Sequence, residues 1–473
     1  VDRRTFTLDD QLDFASLSGD SNPLHADPLV ARRLLFGQAV VHGIHLVLWG
    51  IDRWSEGRGS TFRLDALEAE FRAPVGIGEE VGWRALLEAD RRVEIEIVGR
   101  AGRSARVLFA WREAAGGAPP ALPASPAVAG ECRVLTFEEA LAGSGATELV
   151  LDPRAAGRLF PSLSRTLPNL QLAVVLATTR IIGMLCPGLH SLYAGLDLRF
   201  SEEAPERRPL RYRVASHDRR FSSLQLAIDG PGATGSLKAF FRPPPRAQTA
   251  YAELKALVGR DEFSGRRALI VGGSRGLGEV AAKLLAAGGA RVALTYKVGA
   301  AEAEQVVAEI ARGGGQAASL RFDVLRPGDG LPEVDGESFH PDMLCYFAAP
   351  FIGSGSRGSF SAQAFGAFCA YFVDGFIGTV RAARGPEPRR LRVLYPSSVF
   401  VEEPPPGQGE YAAAKSAGEA ACRWLQKAHP ELTVHAHRFP RMATDQTAGL
   451  LPQPAAEPAP LVLESLRRLR DAR

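Results

Sequence analysis

The string Leu17-Ser18-Gly19-Asp20-Ser21-Asn22-Pro23-Leu24-His25-Ala26-Asp27 places an acid and a histidine five positions apart. Asn22-Pro23 lies between them and forces a bend rather than a continuous helix. Residues 8–15 upstream and 28–36 downstream read as short helices, and Val40-Val41-His42-Gly43-Ile44-His45 follows. Residues 44–54 are apolar nearly all round, which predicts a buried helix. From Thr61 the pattern changes to strands, at 67–75, 92–98 and 106–111. The run Arg92-Val93-Glu94-Ile95-Glu96-Ile97-Val98 alternates apolar and charged residues, the period-two mark of a half-buried strand. One buried helix wrapped by an antiparallel sheet is therefore expected for residues 1–115.

The Gly-Asp-x-Asn-Pro-Leu-His string and the His42-Gly43 that follows resemble the MaoC-like (R)-specific enoyl-thioester hydratases and dehydratases. The resemblance covers roughly the first 115 residues and implies the hotdog fold. The chemistry accounts for the residue types. Adding water across a C2–C3 double bond beside a thioester needs a group to activate water, a proton source for C2 and donors for the enolate oxygen. Asp20 and His25, brought together by the bend, would hold one water between a carboxylate and an imidazole. The reverse reaction uses the same pair to remove the C2 proton and expel the C3 hydroxyl. By the resemblance, the backbone N–H of Gly43 opens the long helix and faces the thioester carbonyl. A glycine there allows close approach, and a helix N-terminus favours developing negative charge. His42 and His45 read as packing or turn residues.

A chain of 473 residues suggests two to four domains, and 46% hydrophobic with 23% charged residues is ordinary for a globular protein. A net charge of +3 is too small at this length to argue for nucleic acid or a membrane surface. Cys132, Cys186, Cys345, Cys369 and Cys422 are scattered without metal-ligand spacing. They fit free thiols in a reducing compartment, and no metal is expected. The N-terminus lacks an apolar signal stretch and no run of about 18 apolar residues is read, so a cytoplasmic location is expected.

Residues 114–130, rich in Ala, Pro and Gly, read as a linker. After it the same order recurs: an apolar helix at 167–184, then Tyr193-Ala194-Gly195-Leu196-Asp197-Leu198-Arg199-Phe200 echoing 67–72, then strands at 210–216, 222–228 and 233–242. Residues 131–243 are thus expected to be a second, diverged hotdog without the acid–histidine string. Its expected job is to complete an α+β double hotdog and shape the tunnel for an acyl chain.

Pro243-Pro244-Pro245 and a helix at 249–258 bridge to a last domain. It opens Arg267-Ala268-Leu269-Ile270-Val271-Gly272-Gly273-Ser274-Arg275-Gly276-Leu277-Gly278, a buried strand entering a glycine-rich turn and a helix. A second strand, Arg291-Val292-Ala293-Leu294-Thr295-Tyr296, follows at βαβ distance. The glycines let backbone approach a pyrophosphate whose charge the helix N-terminus favours. Tyr411-Ala412-Ala413-Ala414-Lys415 sets a phenol and an ammonium on one helix face, and Ser398 lies upstream at a strand end.

These residues resemble the short-chain dehydrogenase/reductase family across about 264–473, which implies an α/β Rossmann-type, doubly wound parallel sheet. By that resemblance Tyr411 donates or accepts the hydroxyl proton and Ser398 orients the carbonyl. Lys415 binds the nicotinamide ribose and lowers the Tyr411 pKa. The same resemblance assigns cofactor contacts to Gly272, Ser274, Arg275, Gly276, Leu277, Gly278, Tyr296, Lys297, Asp323, Val324, Ala348, Lys415 and Thr444. An acid usually binds the ribose 2′-hydroxyl of NAD at the end of the second strand. Here that end is Tyr296-Lys297, and Arg275 sits in the glycine turn, so NADPH is expected over NADH.

The chain also departs from the family. Val271 stands for the threonine of the glycine turn, and Tyr346-Phe347-Ala348-Ala349 for the Asn-Asn-Ala-Gly string. Asp374 reads as the relay asparagine, and Pro440-Arg441 stands for Pro-Gly. Together the resemblances imply a bifunctional enzyme that reduces a 3-oxoacyl thioester with NADPH and dehydrates the (R)-3-hydroxyacyl product, in building a fatty acyl or polyketide chain. The substrate would ride on acyl carrier protein or coenzyme A, and a homodimer is expected. Two rivals stay open: enoyl-CoA hydration with NAD-dependent oxidation in degradation, and an acyl-thioester-binding protein with one inactive half.

Overall fold

The computed structural model describes residues 2–114, 122–123, 130–201, 209–328, 330–334, 336–353, 358–385, 389–451 and 453–472. The expected linker at 114–130 falls largely outside them. The chain forms two compact units, Val1–Pro244 with Gly449–Pro452 and Pro245–Ala448 with Gln453–Arg473.

In the first unit, strands β1 (Asp2–Thr5), β2 (Phe62–Phe71), β3 (Glu80–Ala89), β4 (Arg92–Gly99) and β5 (Gly102–Glu113) come from the first repeat. Strands β6 (Ser144–Thr147), β7 (Ser191–Phe200), β8 (Leu210–Asp218), β9 (Ser223–Gly230) and β10 (Ala233–Phe241) come from the second. All ten join one antiparallel sheet in the order β1-β3-β4-β5-β2-β7-β10-β9-β8-β6. Adding five to each number of the first half and reversing it gives the second half, so the repeat seen in the sequence is a repeat of topology. The seam is β2 against β7, with Leu67 opposite Leu198.

The apolar face of β4 is as expected, with Val93, Ile95 and Ile97 fully buried. On the other face Glu94 is half-buried and meets Arg106 at 2.6 Å, while Glu96 is buried between Arg84 and Arg103. The helix Gly43–Ser55 is buried from Ile44 to Asp52, as its all-apolar surface requires. Its counterpart Asn169–Arg180 runs on into a π-helical turn, Ile181–Leu185. Gln171 on this helix lies under the β2 bulge, accepting from Leu64 N and donating to Leu64 O at 2.8 Å each, which satisfies a buried amide. The helix expected at 28–36 stops at Ala31, because Leu34 and Val40 fold back onto Leu24 in a small separate cluster and Gly37 takes φ +63°.

The second unit carries a parallel sheet of β11 (Arg267–Val271), β12 (Arg291–Tyr296), β13 (Gln316–Arg321), β14 (Met343–Tyr346), β15 (Leu391–Ser398) and β16 (Leu432–Phe439). Their order is β13-β12-β11-β14-β15-β16, which reverses between β11 and β14 and opens a crevice at the strand C-termini there. The short helix Tyr251–Lys255, shorter than the expected 249–258, belongs to this unit and is tied by Tyr251 N to Glu309 Oε1 at 2.6 Å. The helix Ala362–Arg384 is long and apolar enough to cross a membrane by length and composition alone, with mean hydropathy 1.2, although it contains no unbroken run of about 18 apolar residues. Asp374 interrupts it, and it connects β14 to β15 of this sheet.

Candidate active sites

The first site is built by the bend. Asn22 caps the short helix Pro23–Ala26, its Oδ1 accepting from Leu24 N at 3.0 Å, while Nδ2 donates to the Gly183 carbonyl at 3.0 Å. This turns Asp20 and His25 toward one point, where one side-chain nitrogen or oxygen from each, and one from His42, all lie within 4.8 Å of one another. Asp20 is buried; its Oδ1 accepts from Asn22 N at 3.2 Å and its Oδ2 from Thr179 Oγ1 at 2.6 Å. Burial pushes its carboxyl up to about 6, against the opposing pull of those hydrogen bonds and of Arg180.

His25 Nδ1 lies 2.7 Å from the Val40 carbonyl oxygen. A carbonyl only accepts, so Nδ1 carries the proton and the neutral ring keeps its lone pair on Nε2. Burial holds His25 down to about 4, so it is neutral at physiological pH. His42, expected to be packing, stacks on His25 at 3.9 Å between centroids, with Nε2 3.1 Å from the Asp20 carbonyl and Nδ1 3.0 Å from Gln11 Oε1. Burial keeps it well below the usual histidine range. His45 is indeed packing, stacked on Phe14 at 4.6 Å.

Asp20, His25 and Gly43 line one cavity of about 240 Å³, walled mainly by apolar residues such as Leu24, Leu46, Phe71, Ile182 and Phe240. A Cβ at Gly43 would come within 2.8 Å of the Phe71 ring, so a larger residue here would displace that ring from the cavity wall.

The second site gathers at the strand C-termini of the parallel sheet. Gly272 (φ +80°) sits against Ala348 N, and a Cβ at Gly278 would collide with the Gly272 carbonyl. The helix Gly276–Ala287 starts with no side-chain cap, and Thr444 Cγ2 faces Gly276. Ser274 is buried in the turn, with Leu277 partly buried behind it. A close backbone cradle at an uncapped helix N-terminus fits the diphosphate of a dinucleotide. The two cations expected to meet a 2′-phosphate are each engaged: Lys297 pairs with Asp323 at 3.0 Å, and Arg275 lies 3.8 Å from Asp445. Tyr296 closes β12, its carbonyl accepting from Phe322 N at 2.8 Å, and Val324 is buried beside Asp323.

Tyr411, Lys415 and Glu419 follow one another at four-residue spacing along the helix Gly409–Ala428. The Tyr411 ring is caged by Phe368 and Phe372 at 5.7 Å and Phe400 at 6.3 Å between centroids. Burial raises its phenol to about 12, a hydrogen bond with Ser398 opposing. Lys415, expected to lower this value, lies with Nζ 5.9 Å from the Tyr411 ring centroid. Its own ammonium is buried and held down to about 7, donates to the Pro396 carbonyl at 2.6 Å and lies 3.9 Å over the Phe372 ring. Asp374, expected as the relay residue, is exposed; Phe372 occupies the position facing Lys415. Behind them Glu419 accepts from Ser397 Oγ at 2.6 Å and from Arg438 at 2.7 Å.

Residues 1–107 match the family described as MaoC like domain, and residues 266–451 match the short chain dehydrogenase family. The chain carries a MaoC-like domain followed by a short-chain dehydrogenase domain. The MaoC-like domain is similar to 3-hydroxyacyl-thioester dehydratase Y of Mycobacterium tuberculosis (strain ATCC 25618 / H37Rv), at 35% identity over 112 residues, 22% of this chain and 37% of the relative. It is similar also to the (R)-specific enoyl-CoA hydratase of Aeromonas caviae, at 39% over 71 residues, 14% of this chain and 52% of the relative. The dehydrogenase domain is similar to the short-chain dehydrogenase/reductase homolog YusS of Bacillus subtilis (strain 168), at 42% over 62 residues, 13% and 57%. The chain thus spans between 37% and 57% of the length of these relatives.

Sequence reasoning did not find Thr179, Gly183, Gln11 or the role of His42 in the MaoC-like site. The one local signal was Thr178-Thr179-Arg180, polar residues ending an otherwise apolar helix.

Proposed function

We propose that the chain is a bifunctional enzyme of acyl-chain assembly. Its dehydrogenase domain reduces a 3-oxoacyl thioester with NADPH, and its MaoC-like domain dehydrates the (R)-3-hydroxyacyl product to the trans-2-enoyl thioester. The carrier is acyl carrier protein or coenzyme A. The observation that carries this reading is the convergence of Asp20, His25 and Gly43 on one apolar cavity.

In dehydration, His25 Nε2 takes the C2 proton, since its lone pair is the free one. The enolate oxygen that develops is met by the Gly43 N–H at the positive end of a helix. Asp20, raised toward neutrality by burial, gives its proton to the departing C3 hydroxyl. Hydration runs the same transfers backwards. In reduction, Tyr411 holds the proton for the carbonyl oxygen while Ser398 orients that oxygen. A nicotinamide held by Gly272, Gly276, Gly278, Ala348, Thr444 and Lys415 would supply the hydride. Lys297 and Arg275 favour NADPH, a 2′-phosphate competing with Asp323 for Lys297.

Incubation with NADPH and a 3-oxoacyl thioester should yield hydroxyacyl and enoyl species by mass. The absence of both products would overturn the reading, and faster turnover with NADH would reverse the cofactor assignment. Within the MaoC-like site, Gly43→Ala should lower kcat/KM for enoyl hydration by about 10²-fold, the usual cost of displacing one oxyanion donor. Unchanged hydration kinetics in that variant would remove Gly43 from the site.

A further inference from the structure

We propose that Thr179, contributed by the second repeat, is a positioning residue that serves the Asp20 carboxyl in both of its protonation states. The inference rests on the reading of Asp20 as an acid–base group. Thr179 Oγ1 and Asp20 Oδ2 are 2.6 Å apart, and both residues are buried. A hydroxyl donates and accepts, so by rotating about Cβ–Oγ it donates to the carboxylate or accepts from the carboxylic acid. The backbone N–H of Asn22 on Oδ1 only donates. A buried group that loses and regains a proton in every turnover needs such a two-way neighbour, or one of its states leaves a polar atom unpaired.

The second repeat also closes the far side of the carboxyl. Gly183, in the turn Ile181–Leu185, lies so close that a Cβ there would collide with the Asp20 oxygens. The wall and the hydroxyl therefore come from the repeat that lacks the acid–histidine string, beyond any part it has in shaping a tunnel.

The titratable and charged groups facing Asp20 are His25, His42 with Nε2 4.0 Å from Oδ2, the buried Arg180, Cys132 and Tyr193. The bond Thr179 donates to the carboxylate is charge-assisted and stronger than the one it accepts from the acid. The hydroxyl therefore serves both states but favours the charged one on balance, and removing it moves the Asp20 titration upward.

The test is a 13C NMR titration of the Asp20 carboxyl in the full chain, paired with the pH dependence of dehydration, for the parent protein, Thr179→Val and Thr179→Ser. In Thr179→Val the midpoint should rise by about one pH unit. The alkaline limb of kcat/KM should follow it, while kcat falls about tenfold and KM stays within about twofold. Thr179→Ser should restore all of these. A midpoint and alkaline limb unmoved in Thr179→Val, with an active parent, would overturn the proposal. An inactive parent with a shifted midpoint would remove the dehydratase reading and leave the contact standing. If Thr179→Val does not fold, Thr179→Ala is titrated in its place. Failure of both beside a folded Thr179→Ser would make the hydroxyl a folding element and overturn the proposal.

Discussion

Asp20→Asn should abolish dehydration, lowering its rate by about 10³-fold, while leaving ketoreduction by the same polypeptide intact. The amide keeps the shape of the carboxyl and its contact with Thr179 but has no acidic proton to transfer to the departing hydroxyl. The pH dependence sharpens the test. Dehydration needs His25 neutral and Asp20 protonated, so kcat/KM should rise through about 4 and fall through about 6. Hydration needs the reverse-protonated pair and gives the same bell. The residual activity of Asp20→Asn should lack the alkaline limb. The substitution should also stabilise the fold. The folded-state pKa of Asp20 is raised, so its contribution to stability is lost as pH climbs from the unfolded value toward about 6. At pH 7 the neutral amide escapes this loss, a gain on the order of 2–3 kcal/mol that vanishes below about pH 4. Dehydration at the parent rate in Asp20→Asn would end the assignment.

Tyr411→Phe should do the reverse, cutting 3-oxoacyl reduction by about 10³-fold and sparing dehydration of a supplied 3-hydroxyacyl thioester. The cage of Phe368, Phe372 and Phe400 already packs the ring, so the variant loses one hydroxyl and opens no cavity of consequence. The phenol enters the reaction as a protonated acid, since burial holds it at about 12. Oxidation of NADPH by the variant at the parent rate would exclude Tyr411 from the chemistry.

What the sequence disclosed follows from local physics. Period-two alternation at 92–98, an all-apolar helix at 44–54, a proline bend between Asp20 and His25, and glycines between two strands each leave a mark within a dozen residues. Thr179 does not, because it lies 159 positions from Asp20 and reaches it only when the repeats share a sheet. Matching the family pattern also pointed to Asp374 as the relay residue, which the fold leaves exposed. The helix between β14 and β15 contains a π-helical turn, Ala370–Gly375, and the extra residue rotates the later face, turning Asp374 outward and Phe372 in. The positive charges of Lys297 and Arg275 were plain, but their acidic partners come from other elements of the fold.

The mirrored ten-stranded sheet ends on both sides in strands of only four residues, β1 and β6. A long open border of unpaired amides invites stacking of one molecule on the next. Here each border is a stub, and the first carries Asp2, Arg3 and Arg4. Each stub covers only four residues of its neighbour, 80–83 of β3 and 210–213 of β8, so the two ends of the doubled sheet are finished alike.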